Sequence, residues 1–158
     1  MKIAIGSDKS GFSVKEAVKA YLTEAGIEFD DLGTQDLEHV VPYYAVASKV
    51  APLMQKGEYD KAVLICGTGA GMSVVANKFK GVYAVACEGI YSAKMARAIN
   101  NANVLCMCGW IVGPEMAVEM VKTFLATEWC QDLEDWRKEN MKKFAVQVSA
   151  IEDGIYDK

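Results

Sequence analysis

The sequence predicts an α/β fold: a three-layer sandwich in which a five-stranded parallel sheet lies between two layers of helices, followed by a C-terminal helix. Short apolar runs alternate with segments of helical period along most of the chain. Parallel neighbouring strands need a crossover connection, so this alternation is typical of a parallel sheet covered on both faces. The length of 158 residues and a hydrophobic content of 52% predict a single domain that spans 1–158.

Five apolar runs have the length and composition of strands. They are Lys2–Ser7, Ile27–Asp31, Lys61–Cys66, Val82–Cys87 and Asn103–Cys108. Sequence does not show the order of strands in a sheet. By analogy with other open α/β sheets, we expect the doubly wound, flavodoxin- or Rossmann-like order 2-1-3-4-5.

Helical segments separate these strands. The first, Phe12–Ala25, repeats apolar residues on one face and is stopped by Gly26. The others are Tyr43–Lys56, Gly71–Phe79, Ser92–Asn100 and Pro114–Glu128. The last of them begins with a proline directly after Gly113, where a first helical turn tolerates proline.

The C-terminal segment 131–151 differs from the rest of the chain. It contains the charged run DLEDWRKENMKKF, with apolar residues at helix-like intervals that form a narrow stripe. A helix of this kind, following a complete α/β unit, packs either across its own domain or onto a partner subunit. We expect the second arrangement.

Composition limits the classes of function. A net charge of −4 and a pI of about 5.1 argue against nucleic-acid binding. No apolar stretch approaches the length that spans a bilayer, and we expect a cytoplasmic protein without membrane contact. Five cysteines without paired CxxC spacing indicate neither a disulfide framework nor a zinc site. We expect no metal site.

The run VLICGTGAGMSVVANK, from Val63 to Lys78, contains the strongest motif. Cys66 ends the third predicted strand, and Gly67, Gly69 and Gly71 follow in a short loop at the carboxyl edge of the sheet. Glycines let backbone N–H groups approach a ligand closely. The loop therefore suits a phosphate, a carboxylate or a developing oxyanion.

Other interpretations of the loop are weaker. A tight turn that binds nothing needs only one glycine. A dinucleotide fingerprint requires a glycine where Met72 stands, although Glu88 at the next strand end has the place of a ribose-binding acid. A cysteine hydrolase needs a histidine partner, and nothing in the sequence brings the only histidine, His39, to Cys66.

Proton transfer next to a carbonyl explains the motif better. A thiol beside backbone N–H groups has its thiolate form favoured and is available as a base. The loop amides then hold the oxygen of an enediolate. The residues themselves thus predict an enzyme that moves a proton between neighbouring carbons.

Longer stretches of the chain resemble one known family. They are MKIAIGSDKSGFSVKEAVKAYL, DLGT, GEYDKAVLICGTGAGMSVVANKFKGVYA and NNANVLCMCGWIVGPEMA. In order and spacing they are similar to the ribose-5-phosphate isomerase B and galactose-6-phosphate isomerase family over residues 1–129. The resemblance implies aldose–ketose isomerisation of a phosphorylated sugar without a cofactor, by a homodimer or dimer of dimers with sites at subunit interfaces.

The resemblance also assigns roles within the glycine loop. Cys66 matches the base that transfers the proton, and Thr68 matches the hydroxyl beside it. Gly67, Gly69 and Gly71 match the loop whose amides stabilise the enediolate.

Further roles come from outside the loop. Asp8 matches an acid that contacts the sugar hydroxyls, and Asn100 matches a residue assigned to the oxyanion or a substrate oxygen. Lys9 stands where the family has a phosphate-binding histidine. Arg137 matches the second of two arginines that hold the phosphate from the partner chain. Arg97 coincides with a basic position common in the family, near the expected rim of the site.

The departures from the family form a pattern. Val41 replaces a tyrosine that lines the sugar site, and Ile99 replaces the histidine credited with opening the furanose ring. The segment 131–137 lacks one phosphate arginine. Groups that move a proton are retained while ring-opening groups are lost, which predicts an altered substrate. This is either an open-chain sugar such as a tetrose phosphate, or a different sugar whose ring opens without help. The alternative is a catalytically silent subunit or a module that binds a small molecule or nucleotide.

Overall fold

The computed structural model describes residues 1–157, which form a three-layer α/β sandwich around a parallel sheet. The strands are β1 (Lys2–Ser7), β2 (Glu28–Asp31), β3 (Lys61–Cys66), β4 (Ala84–Cys87) and β5 (Val104–Cys108). The helices are α1 (Phe12–Glu24), α2 (Tyr43–Gln55), α3 (Ala70–Ala76), α4 (Ile90–Ala98), α5 (Pro114–Ala126) and α6 (Asp135–Tyr156). The predicted fold class is confirmed, and β1 and β3 have the predicted bounds.

The predicted strand order was wrong. The sheet has the order β2-β1-β3-β5-β4, so β5 is inserted between β3 and β4. Burial explains the exchange. All residues of β5 are buried, whereas β4 has a half-buried Val85 and an exposed Ala86. The strand with the continuous buried run takes the interior position, and the shorter strand with an exposed residue forms the edge.

Two apolar cores hold the layers together. On one face α1, α4 and α5 pack on Ile5, Ile65 and Met107, and on the other face α2 and α3 pack on Leu64 and Cys106. Alternate residues of the parallel strands point to opposite faces, so each strand contributes to both cores. These cores fix the carboxyl ends of β1, β3 and β5 side by side.

Helix α6 is longer than the predicted segment and begins four residues later, at Asp135. None of its residues is buried, and the apolar side chains of Trp136, Phe144, Ile151 and Ile155 are exposed. Its end is held by Glu152, which accepts hydrogen bonds from the Tyr83 hydroxyl and the Gly81 amide. Packing of α6 on a partner subunit stays a prediction.

Candidate active site

Cys66 is the last residue of β3, and its side chain is 4% exposed. The loop that follows reaches α3 through Gly69, whose positive φ of 71° favours glycine. Among the residues 1–157, none accepts a hydrogen bond from the amides of Thr68, Gly69 or Gly71. The structure thus places N–H groups without a hydrogen-bond acceptor among these residues directly after the thiol.

Strand β5 supports this loop from the side. Cys108 is the register partner of Cys66, and the amide of Gly109 donates a hydrogen bond of 2.7 Å to the Cys66 carbonyl. The Cys108 thiol donates to the carbonyl oxygen of Thr68, with Sγ and O 2.9 Å apart. Burial and the nearby carboxylate of Glu88 raise the pKa of Cys108 to about 11. Cys108 therefore stays a neutral donor at neutral pH.

Asp8 lies beside this loop because β1 and β3 are neighbours in the sheet. Its amide donates to the carbonyl of Ile65, one residue before Cys66, at 3.2 Å. Burial raises the pKa of the Asp8 carboxyl, against the effect of N–H donors from Gly11 and Ser10 at 3.1 and 2.9 Å. In open α/β sheets, ligands bind at the carboxyl ends of two neighbouring strands whose following connections lead to opposite faces of the sheet, as those after β1 and β3 do.

The neighbouring Lys9 is exposed, and its ammonium forms no ion pair within the described part of the chain. A cation at the rim is thus free to meet an anion. The structure brings together Asp8, Lys9, Cys66 and the glycine loop at one edge of the sheet.

Two aromatic rings, those of Trp110 and Tyr43, border the loop, and the sequence did not assign Trp110 to the site. A Cβ added at Gly67 would lie 2.6 Å from Cε2 of Trp110, so the indole lies directly on that glycine. A Cβ added at Gly71 would lie 2.8 Å from Cε2 of Tyr43. The structure places the ring of Tyr43 there.

A buried ion pair fixes the segment that leads to Tyr43. The side chain of Lys15 is fully buried and bonds the carboxylate of Asp31 and the carbonyl of Thr34. The Thr34 hydroxyl in turn exchanges hydrogen bonds with the backbone of Val41, at 3.0 and 3.3 Å. Val41 is therefore held at the carboxyl edge, where the family has a tyrosine.

Asn100 and Ile99 lie at the opposite edge of the sheet. They belong to the connection from α4 to the beginning of β5, whereas Cys66 stands at the end of β3. Asn100 lines a cavity of about 240 Å³ together with Tyr83, Trp129 and Phe144. Within one chain, the structure does not bring Asn100 to Cys66.

Arg137 is likewise remote from the loop. It lies at the start of α6, 3.6 Å from the carboxylate of Glu134 and against the ring of Trp136. The expectation for Arg97 was wrong: its guanidinium is buried and donates to the carbonyls of Ala102 and Thr127, so it supports the amino edge of the sheet.

Alternative sites gain little from the geometry. His39 is 82% exposed and bonds Asp36, which leaves Cys66 without the partner that a cysteine hydrolase needs. Among the described residues, no group of three or more His, Cys, Asp or Glu side chains is arranged to hold a metal ion. No helix within 1–157 is both long and apolar enough to cross a membrane.

Comparison with known proteins identifies the class. The sequence profile of the Ribose/Galactose Isomerase family matches residues 3–141. The solved structure of ribose-5-phosphate isomerase B from Clostridium thermocellum superposes with a TM-score of 0.84 at 35% identity, covering 98% of this chain and 99% of the other. The fold and the site thus define a sugar isomerase.

Two curated relatives are similar in sequence. The 4-deoxy-4-sulfo-D-erythrose isomerase of Clostridium sp. (strain MSTE9) is 52% identical over 158 residues, which cover 100% of this chain and 99% of that protein. The D-erythrulose-4-phosphate isomerase 2 of Mycolicibacterium smegmatis is 40% identical over 131 residues, 82% of this chain and 86% of that protein. The chain belongs to the Ribose/Galactose Isomerase family and is an aldose–ketose isomerase with an altered substrate preference.

Proposed function

We propose that this enzyme interconverts a four-carbon aldose and its ketose, both carrying a terminal sulfonate on carbon 4. The observation that supports this most directly is the 52% identity to a 4-deoxy-4-sulfo-D-erythrose isomerase over the whole chain, including α6. The erythrulose phosphate isomerase matches 131 residues only. A four-carbon sugar with a terminal phosphate is the second candidate.

The chemistry of such a sugar agrees with the residues that the chain lacks. A four-carbon aldose needs its O4 hydroxyl to close a furanose ring. When carbon 4 carries sulfur, or when O4 is esterified to phosphate, that ring cannot form. An open-chain substrate requires no ring-opening histidine, so Ile99 is compatible with full activity.

The charge of the substrate also agrees with the cations present. A phosphate monoester carries about −1.5 to −2 charges at neutral pH, whereas a sulfonate carries a single charge. Lys9 is a free cation at the rim, and Arg137 is the one arginine retained from the family pair. Fewer cations suit a monoanion better than a dianion.

The proposed reaction transfers one proton between carbons. The Cys66 thiolate takes the proton from C2 of the aldose, and the carbonyl oxygen O1 becomes the enediolate oxygen. The amides of Gly67, Gly69 and Gly71 bind that oxygen, and Asp8 accepts hydrogen bonds from the sugar hydroxyls. The Thr68 hydroxyl passes the O2 proton to O1. Cys66, whose thiol proton exchanges with solvent, delivers a proton to C1, which gives the ketose and regenerates the thiolate.

The proposed site is shared by two copies of the chain. Asn100 and Arg137 lie far from Cys66 within one chain, so they reach a substrate there only from a second copy. A homodimer in which the α6 surface of one copy faces the loop of the other supplies them. We further place the reaction in the cytoplasm, since all five cysteines are unpaired.

The shared site has a direct test. Cys66→Ala and Asn100→Ala each inactivate the pure enzyme, because each removes one group from every site. Unfolding and refolding the two variants together forms mixed dimers with one intact site, and activity returns. A mixture that stays inactive, while co-refolded wild type recovers, contradicts the shared site.

A substrate panel tests the proposed function itself. We expect the highest kcat/KM for 4-deoxy-4-sulfo-D-erythrose, a lower value for D-erythrose 4-phosphate, and little turnover of D-ribose 5-phosphate. Conversion is followed by NMR in deuterated water, where the proton transfer labels the product. If no substrate reacts with the pure chain, the proposal fails, and activity that appears only with a homologous partner indicates a silent subunit. Binding of a nucleotide without isomerisation supports the nucleotide-binding alternative.

A further inference from the structure

The indole of Trp110 occupies an unusual position for so large an apolar side chain. The ring touches Gly67 so closely that a Cβ at this position would require the indole to shift, yet the side chain remains 72% exposed. A tryptophan that only filled the core would be buried on most sides. Trp110 instead forms a wall of the candidate site. One side of the indole lies against the loop, and the other is exposed to solvent within the single chain.

The backbone around Trp110 holds this wall in place. The amide of Trp110 donates to the Gly67 carbonyl at 3.2 Å, and the preceding amide, that of Gly109, donates to Cys66. Gly109 is wedged against the loop after β1, where an added Cβ would lie 2.4 Å from the carbonyl oxygen of Ser10. The backbone of Trp110 is thus positioned by the loops that carry both Asp8 and Cys66.

A second ring limits the other end of the loop. Tyr43 lies against Gly71 and packs edge-to-face on Tyr44, with ring centres 5.7 Å apart. A substrate whose enediolate oxygen binds the amides between Gly67 and Gly71 must therefore lie between two aromatic side chains. The rings of Trp110 and Tyr43 thus bound the space along the carbon chain.

We propose that Trp110 is a specificity-determining residue that sets the length of the substrate. This inference rests on the proposed function, because it assumes that the sugar binds at the Cys66 loop. A four-carbon chain places its terminal anion beside the indole, and a fifth carbon drives the anion into the ring. Replacing the ring by a small side chain opens the wall to five-carbon substrates.

Two ketoses isolate chain length from ring opening. D-Erythrulose 4-phosphate and D-ribulose 5-phosphate both have their terminal oxygen esterified, so neither closes a furanose ring. They differ by one carbon and carry the same anion. Their ratio of kcat/KM therefore reports the length of the site, regardless of the loss of the ring-opening histidine at Ile99.

The test compares this ratio in wild type, Trp110→Phe and Trp110→Ala. One carbon more or less in a shaped pocket discriminates by about 10- to 200-fold. We expect wild type to favour erythrulose 4-phosphate and Trp110→Ala to lower the ratio about tenfold or more, mainly through a lower KM for ribulose 5-phosphate. Trp110→Phe keeps an aromatic wall and retains most of the preference.

Each outcome has a distinct meaning. A ratio that stays constant in a folded, active Trp110→Ala variant overturns the role of Trp110 but leaves the proposed function intact. Wild type that turns over no four-carbon substrate overturns the proposed function instead. If Trp110→Ala does not fold, Trp110→Leu provides the same comparison with a smaller loss of apolar contact.

Discussion

The thiol of Cys108 donates a hydrogen bond to the carbonyl of Thr68, with 2.9 Å between the two atoms. The bond ties the end of β5 to the loop that follows Cys66. It also requires a protonated thiol, and the raised pKa of about 11 keeps Cys108 in that form. Two cysteines at the same edge of the sheet thus have different proposed tasks: Cys66 as the base, and Cys108 as a support for the loop.

Cys108→Ala is expected to reduce activity modestly. The variant leaves the loop without one hydrogen bond, worth about 0.5–1.5 kcal/mol. We expect kcat to fall roughly 2- to 10-fold, with KM nearly unchanged, in an assay with a four-carbon ketose. Cys108→Ser retains a donor and is the matched control. Equal losses in both variants would show that the hydrogen bond has no part in activity.

Lys15→Met is expected to destabilise the protein strongly. Burial by itself raises the pKa of Asp31, but hydrogen bonds from Lys15 and Lys19 hold it below its usual range. Removing one member of a buried pair costs about 3–5 kcal/mol, and here Lys19 retains part of the pairing, so we expect about 2–4 kcal/mol. Urea unfolding at neutral pH measures the difference in the free energy of unfolding.

Lys122→Met is the control for this change. Its partner Glu119 is exposed, and the loss should stay below about 1 kcal/mol. The pKa of Asp31 is lower in the folded than in the unfolded protein. The contribution of the Asp31 ion pair to the free energy of unfolding is therefore complete above the unfolded pKa, and it is lost as the pH falls through the folded pKa. Equal effects of the two lysine substitutions would contradict a role for the buried pair.

The activity should show an acid limb that depends on Asp8. Burial raises the pKa of this carboxyl, so Asp8 takes up its proton at a higher pH than an exposed aspartate does. Because the protonated form no longer accepts two sugar hydroxyls as an anion, kcat/KM falls on acidification. Asp8→Asn removes this limb and lowers the plateau, whereas Asp36→Asn, in an exposed loop, changes neither. If the acid limb persists in Asp8→Asn, then it arises from the titration of another group.

Ile99→His combined with Val41→Tyr should restore turnover of a cyclic substrate. Val41 lies at the carboxyl edge, and Ile99 enters the proposed site from the second copy, so the two changes meet across the dimer. We expect at least a severalfold gain in kcat/KM for D-ribose 5-phosphate and no matching gain for D-erythrose 4-phosphate, which cannot close a furanose ring. An equal gain for both sugars would separate the effect from ring opening.

Sequence reasoning found the parts of the fold that depend on local pattern. The alternation of strands and helices predicted the three layers, and the CGTGAG run predicted a thiol at a strand end followed by a loop that presents backbone N–H groups. Strand order depends on which strand buries both of its faces best, and this requires a comparison among segments that are distant in the sequence. For that reason the predicted order, which placed β4 between β3 and β5, was wrong. The continuous apolar run Val104–Cys108 was the available signal.

Other features were beyond the sequence because they depend on contacts across the fold. The contact of Trp110 with Gly67 joins two loops that are remote along the chain, and nothing in the local pattern marks it. The separation of Asn100 from Cys66 follows only from the direction of α4, whose C-terminal end lies at the amino edge of the sheet. The resemblance supplied Asn100 and Cys66 as site residues, and the fold shows that one chain does not bring them together.

The most direct test of the account measures proton transfer by Cys66. In deuterated water, the wild-type enzyme should exchange the C2 hydrogen of the aldose with solvent during isomerisation. Cys66→Ala should lose that exchange and the turnover together, by about 10²–10⁴-fold, while Cys130→Ala retains both. If Cys66→Ala folds and still exchanges hydrogen at the wild-type rate, then the thiol is not the base, and the proposed mechanism is wrong.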